Sequence, residues 1–336
     1  MSARPCKGFS IIEFLLAISL GAMLIAGVAT VYLSNKNTYV VQEGLARLQE
    51  NGRYANYLLS RELRMAGYQG CTNQSQITVV NLINSPTTMT NFSTPVFGYD
   101  GTASFSPALP ANISSKSPIA NSDVIEMRRA ANTGVKLNNN MTQTSDAIPV
   151  YPAVGINAGT PAMITNCVLA DIFIAGSNSS TGSISHSSGA NSSGNLSLAY
   201  LRNAQVLSYI YYAFYVKDTG RVNARNTPIR ALFRLDVNGN EDEIAEGVEA
   251  MKVLYGIDTN DDNTGDTYQT ATQVNNANNW NNVISIQINL LLSTTEDINN
   301  KASSYIFNGA TITPTDRKLR REWNTFITLR NRGLPS

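Results

Sequence analysis

Apolar and polar positions change their spacing several times along the chain, and each change marks an element. From Phe14 to Leu33 the residues are apolar or small, with Ser19 and Thr30 as the aliphatic hydroxyls. A helix of that length crosses a hydrocarbon core of about 30 Å. Past Leu33 the pattern stays helical but becomes one-sided: Val41, Leu45, Leu48, Tyr54, Leu58 and Leu63 recur mostly at intervals of three, four or seven. One helix is therefore predicted to about Met65. Gly67 and Gly70 supply stop signals, and the polar tract after Cys71 does not continue it.

The carboxyl-terminal part alternates instead. Ile284, Ile286, Ile288, Leu290 and Leu292 interleave with Ser285, Gln287, Asn289 and Leu291, a half-buried strand. Ala231, Phe233, Leu235 and Val237 alternate with Arg230, Leu232, Arg234 and Asp236, and the stretch Leu207 to Val216 is aromatic and β-branched. Further strands are expected at Met251 to Ile257 and Trp323 to Leu329. Consecutive strands separated by turns favour an antiparallel sheet packed on the amphipathic half of the helix, an α+β fold in which no second domain is required. Residues 81–122, 131–148 and 176–195 read as long polar loops or insertions, with room for short strands of their own.

Arg4 and Lys7 precede the apolar run, so the positive-inside bias holds the start in the cytoplasm and sends the chain after Leu33 outward. A secretory signal peptide would be cut after its apolar run, yet no small-x-small site with a polar start follows Leu33. The distinctive residues come before the run: Lys7-Gly8-Phe9-Ser10-Ile11-Ile12-Glu13. This segment resembles the class III leader of type IV pilins. The resemblance implies cleavage by a prepilin peptidase between Gly8 and Phe9, N-methylation of Phe9, and retention of the apolar helix. It places Glu13 at the fifth mature position, where the family's glutamate meets the amino terminus of a neighbouring subunit during assembly. Physical chemistry asks for the same thing, because an ionisable side chain within an apolar helix costs several kcal/mol without a partner. The plain alternative is a carboxylate tolerated near the membrane interface.

The implied division is a leader (1–8), a membrane and assembly half of the helix (9–33), an amphipathic half (34–66) and a β-rich periplasmic domain (67–336). A finer resemblance lies in Gly67-Tyr68-Gln69-Gly70-Cys71, Leu232-Phe233-Arg234-Leu235, Ile244 to Met251, Leu254-Tyr255-Gly256-Ile257-Asp258 and Arg320-Arg321-Glu322-Trp323. Together these look like the PilW-type minor pilins, and the loops between them contribute hardly anything. The resemblance implies a pilin-like subunit that primes filament assembly with other minor pilins and the major pilin, at an inner-membrane assembly platform. It would lie in the bilayer before assembly and in the pilus fibre, at its tip, afterwards, serving adhesion and twitching motility. The J-type minor pseudopilin of type II secretion shares the leader, the helix and Glu13; a tip adhesin binding through the polar loops is the other alternative.

Composition adds exclusions. Lys plus Arg number 25 against 24 Asp plus Glu, so no global field recruits nucleic acid, and none is expected as a partner. The single histidine, His186, sits in the low-complexity stretch from Ser177 to Asn195 with no evident element to orient it. With no nucleophile, base and orienter to name together, no enzyme activity is expected. Cys6 leaves with the leader, so Cys71 and Cys167 are expected to form a periplasmic disulfide, the alternative being two separately buried thiols. Asp258, Asn260, Asp262 and Asp266 offer oxygens at alternate positions, a pattern suited to calcium, the only cofactor suggested. An EF-type loop wants glycine where Asn263 stands, however, and Gly265 comes two residues later, so a solvated turn is the competing reading. Arg317, Lys318, Arg320 and Arg321 read as a solvated strand margin rather than a nucleic-acid site.

Overall fold

The computed structural model describes residues 10–71 and 77–332. Helix α1 (Ile11–Arg64) is continuous through both the apolar run and the amphipathic half. It stops where Gly67 takes φ +79°, a left-handed conformation that costs glycine little, and the Gly67 N–H turns to the carbonyl of Arg128. The expected end near Met65 is thus met.

Beyond it come β1 (Thr78–Asn81), β2 (Val96–Gly101), β3 (Phe105–Ser106), α2 (Ala111–Ser114) and β4 (Val124–Lys136). The chain continues through β5 (Ile148–Pro149), β6 (Pro161–Thr165), β7 (Leu169–Ile174), β8 (Ser183–Ile184) and β9 (Gln205–Val222). It closes with β10 (Pro228–Asp236), β11 (Glu241–Glu246), β12 (Val248–Ile257), β13 (Thr267–Gln269), α3 (Ala271–Asn276), β14 (Val283–Ser293), β15 (Tyr305–Phe307), β16 (Ala310–Ile312) and β17 (Arg320–Thr328).

The strands make two principal sheets where the sequence suggested one. A nine-stranded sheet runs β1-β7-β6-β9-β4-β2-β3, with β10 and β11 added along β9; a four-stranded sheet runs β13-β12-β14-β17. Pairing is antiparallel except for β1 on β7. Strand β9 is the spine: β4 lies along one side, and β6 (at Gln205–Ser208) and β10 (at Tyr212–Val222) divide its partners.

The amphipathic half of α1 supplies Leu48, Ala55, Leu58, Leu59 and Leu63 to a core shared with both sheets, including Phe214, Leu232, Tyr255, Ile286 and Ile288. Gly52 lets α1 approach the small sheet closely, since a Cβ there would fall 2.3 Å from Leu292 and 2.9 Å from Trp323. A second core covers the other face of the large sheet, centred on Tyr209, Tyr211, Tyr215 and Phe233. A third fills a lobe built largely from residues 135–206, around Phe173, Ile184 and Tyr200. The segments 81–122, 131–148 and 176–195 are correspondingly structured: they contain β2, β3, α2, the end of β4 and β8.

Candidate functional site

From Ser10 to Val40 almost every residue of α1 is exposed, and the most apolar window has a mean hydropathy of 2.4 with none of it buried. Ile11 is 79% and Met23 77% exposed. A continuous apolar rod of this kind needs lipid or other helices around it. The amphipathic half, by contrast, is covered on one side by the domain.

Gly8 and Phe9 lie outside the described residues. Glu13 lies in the first turn of α1, where its Oε2 accepts the backbone N–H of Ser10 at 3.0 Å, and the Ser10 side chain answers in a capping box. Within the single chain the carboxylate therefore caps its own helix, with the favourable sign for a helix amino terminus. It remains exposed on the apolar rod.

Cys71 and Cys167 form a disulfide, with Cα atoms 5.7 Å apart and a sequence separation of 96. The bridge joins the exit of α1 to the turn between β6 and β7. Cys167 sits there at φ +71°, with its N–H donating to the Thr165 hydroxyl.

The Asp258 to Asp266 turn is closed by its own bonds. Asp258 accepts the N–H groups of Asn260 and Asn263, Asp262 that of Thr264, and Asp266 the N–H and hydroxyl of Thr259. Asp261 and Asn263 take the left-handed conformation that the displaced glycine would have eased. Among the described residues no group of three or more His, Cys, Asp or Glu side chains is gathered for a metal.

Two readings of the sequence need correction. The run Arg317 to Arg321 is not wholly a solvated margin: Lys318 is buried, and the Arg320 side chain, only 6% exposed, pairs with both Glu249 and Asp316. Lys318 lies 3.7 Å from Glu249 and donates to the carbonyl of Pro228. His186 is likewise held, buried with Nε2 at 2.7 Å from the Asp146 carbonyl and its ring edge-on to Phe173. It is a packing residue of the third core.

Sequence reasoning missed the latch between helix and sheet. Glu62, buried on α1, pairs with Arg61 and, at 2.9 Å, with Arg129 of β4. Burial pushes its carboxyl up, but the bonds from Arg129 and Arg61 outweigh that and hold it below the usual range. Deeper in β4, Glu126 and Arg128 pair in full burial; Tyr211 donates to Glu126, and Arg128 donates to the carbonyls of Thr88 and Thr94. The network fixes the segment that covers the second core. Alternation in sequence gives no sign of either pair, because both partners read as ordinary surface charges.

Comparison with curated proteins and with solved structures gave no match. A protein-family model described as PilW, Type IV Pilus-assembly protein W, matches residues 213–331. The matched stretch runs from within β9 through β17 and so includes the whole four-stranded sheet that packs on α1. The match supports a protein related to type IV pilus assembly, and the bare amino-terminal helix agrees with membrane anchoring in such a system.

Proposed function

We propose that the chain is a minor pilin: a structural subunit, cut between Gly8 and Phe9 and methylated by a prepilin peptidase, that helps to prime a type IV pilus. The observation that carries the reading is a single helix in two regimes. Its first half is bare and apolar, and its second half is packed on the sheet to which the PilW family model aligns. A subunit of this build is held by lipid before assembly and by neighbouring helices afterwards, so membrane extraction and filament entry exchange one apolar surround for another. Its partners in this reading are other minor pilins, the major pilin and the inner-membrane platform.

A position at the filament tip draws on the lobe around the third core. The end of α1 is tied to the middle of β4, through Gly67 to Arg128 and Ala130 to Tyr68, while β4 and β9 run on to Lys136 and Gln205. Residues 137–204 therefore extend past the carboxyl-terminal end of the helix, and a subunit stacked directly above would have to displace them. The same feature suits the adhesin reading. A pseudopilin of a secretion system has the same requirements, and the neighbouring genes separate the two.

Glu13 supplies the test. In the free chain it caps its own helix; in the assembled filament we expect it to meet the amine of Phe9 on a neighbour. Glu13→Val should leave insertion and cleavage intact while mature protein accumulates in the inner membrane and surface filaments fall away. Normal piliation and normal capture of the variant by other minor pilins would refute that role. A calcium function for the Asp258 turn requires its carboxylates to surrender the bonds described above. Calorimetry at millimolar calcium tests it, with a single weak site as the supporting result.

A further inference from the structure

The four-stranded sheet ends in an open edge. β17 pairs with β14 from Arg320 to Thr328, and among the described residues no strand adds to its other side. The N–H of Leu329 points to β14, where it bonds the Ile284 carbonyl, so strand alternation turns the N–H and C=O groups of Asn324, Phe326 and Thr328 outward. The hairpin of β15 and β16 protects only the lower end, where the Asn308 N–H donates to Glu322. Long edges are normally blunted by charge, proline or a bulge, yet Asn324 to Thr328 carries none of these, and Phe326 is 62% exposed.

The surroundings give the edge a sign. A groove of about 820 Å3 lies between β17 and α1, with Gln49, Glu50 and Arg53 on the helix side and Arg321 to Asn324 on the strand side. Arg53, Arg64, Arg321 and Arg330 are exposed along this flank, and none takes part in an ion pair among the described residues. Glu50 and Glu322 are the carboxylates beside them, so the flank is net basic.

Resting on the minor-pilin reading, we propose that β17 is a strand-addition site for a neighbouring pilin-fold subunit, which docks an acidic edge strand running antiparallel to β17. The fold shows how a neighbour meets that demand. β17 runs in the same sense as α1, with Trp323 by Gly52, Thr325 bonded to Asn56 and Asn331 bonded to the carbonyls of Met65 and Ala66. On the opposite flank of the buried stripe, β11 is the last strand of its branch among the described residues and carries Glu241, Asp242, Glu243 and Glu246, which in this chain are paired with its own Lys217, Arg234 and Arg221. It runs the other way, from Asp242, paired with Arg234 in the field of Glu62, down to Glu246, whose carbonyl receives Asn51. A subunit of like fold, set alongside with its helix parallel to α1, presents that kind of edge to β17 in the antiparallel sense. Main-chain bonds then supply attraction and the arginines supply selectivity.

The test uses the full chain in the membranes of cells that assemble the filament, with a photo-crosslinking side chain at position 326 and the product mapped to the residue by mass spectrometry. The expected product joins position 326 to a carboxylate-bearing edge strand of another pilin-type subunit. Asn324→Pro removes one outward N–H at a position where an edge strand tolerates proline, and should reduce the product at least tenfold; Asn324→Thr should preserve it. Combined Arg53→Glu and Arg321→Glu should also reduce it at least tenfold, and carries the test if the proline variant melts early. Products with lipid, with a second copy of this chain or with a strand lacking carboxylates would overturn the proposal, as would no product or insensitivity to these substitutions. Cleavage at Gly8 and dependence of assembly on Glu13 would survive that failure, which separates it from failure of the minor-pilin reading itself.

Discussion

Tyr255 lies fully buried in the shared core, and its hydroxyl has no hydrogen-bond partner among the described residues. Gly98 leaves room for that oxygen, since a Cβ there would fall 1.8 Å from it. An unpaired buried hydroxyl is destabilising, so Tyr255→Phe should raise stability by about 1 kcal/mol in a denaturant titration; a comparable loss would show that the hydroxyl is satisfied. Glu249 gives the opposite case. It accepts from Arg320 and lies near buried Lys318, so Glu249→Ala leaves Lys318 without a carboxylate and Arg320 with Asp316 alone, and should cost about 3 kcal/mol. This cluster was illegible in sequence because Glu249 stands 71 positions from Arg320, whereas the basic residues are consecutive and look solvated. Glu62 sets an acid limit. Its carboxyl is held below its ordinary 4.5 in the folded chain, so its contribution is complete above that value and is lost as pH falls beneath it. Thermal melting below pH 4.5 should therefore show a smaller acid dependence for Glu62→Gln than for the parent chain.

At the scale of elements, the helix and the carboxyl-terminal strands were readable because each presents one face to the shared core. β14 spans Val283–Ser293 around the alternation that predicts it, and α1 ends at Arg64, three residues before the glycine signal at Gly67. β4 was not readable. Its first five residues, Val124 to Arg128, are all buried, so no alternation appears, and Glu126 and Arg128 give it a polar look that only their mutual pairing explains. β7 hides in the same way, with buried Asp171 satisfied by the Ser197 N–H and hydroxyl and by the Tyr200 hydroxyl. The contact of α1 with the small sheet depends on Gly52, where Gly52→Val should destabilise by about 1 to 3 kcal/mol and loosen the helix, read as faster hydrogen exchange along residues 48–63. The Cys71 to Cys167 bridge, which cysteine arithmetic did anticipate, closes a 96-residue separation. Cys167→Ser should cost about 2 to 5 kcal/mol and lower folded yield, while unchanged melting would deny the bridge a stabilising part.

Across the whole molecule, charge balance and the low histidine content said little, and the informative asymmetry is one of cover. One end of α1 is bare and apolar, its other half is buried against two sheets, and a lobe reaches past its end. Sequence patterns supplied the first two parts, since both are periodicities of a single helix. Residues 131–148 and 176–195 of the lobe read as loops because their core positions, such as Val135, Ile148 and Ile184, are short and separated, and no local window joins them. The central claim is that this helix belongs to a processed pilin subunit, and mass spectrometry of the amino terminus of protein recovered from the membrane tests it most directly. The account predicts a chain beginning at N-methylated Phe9, with Met1 to Gly8 removed and Phe14 to Leu33 retained. An intact Met1, or a first residue beyond Leu33, would contradict it.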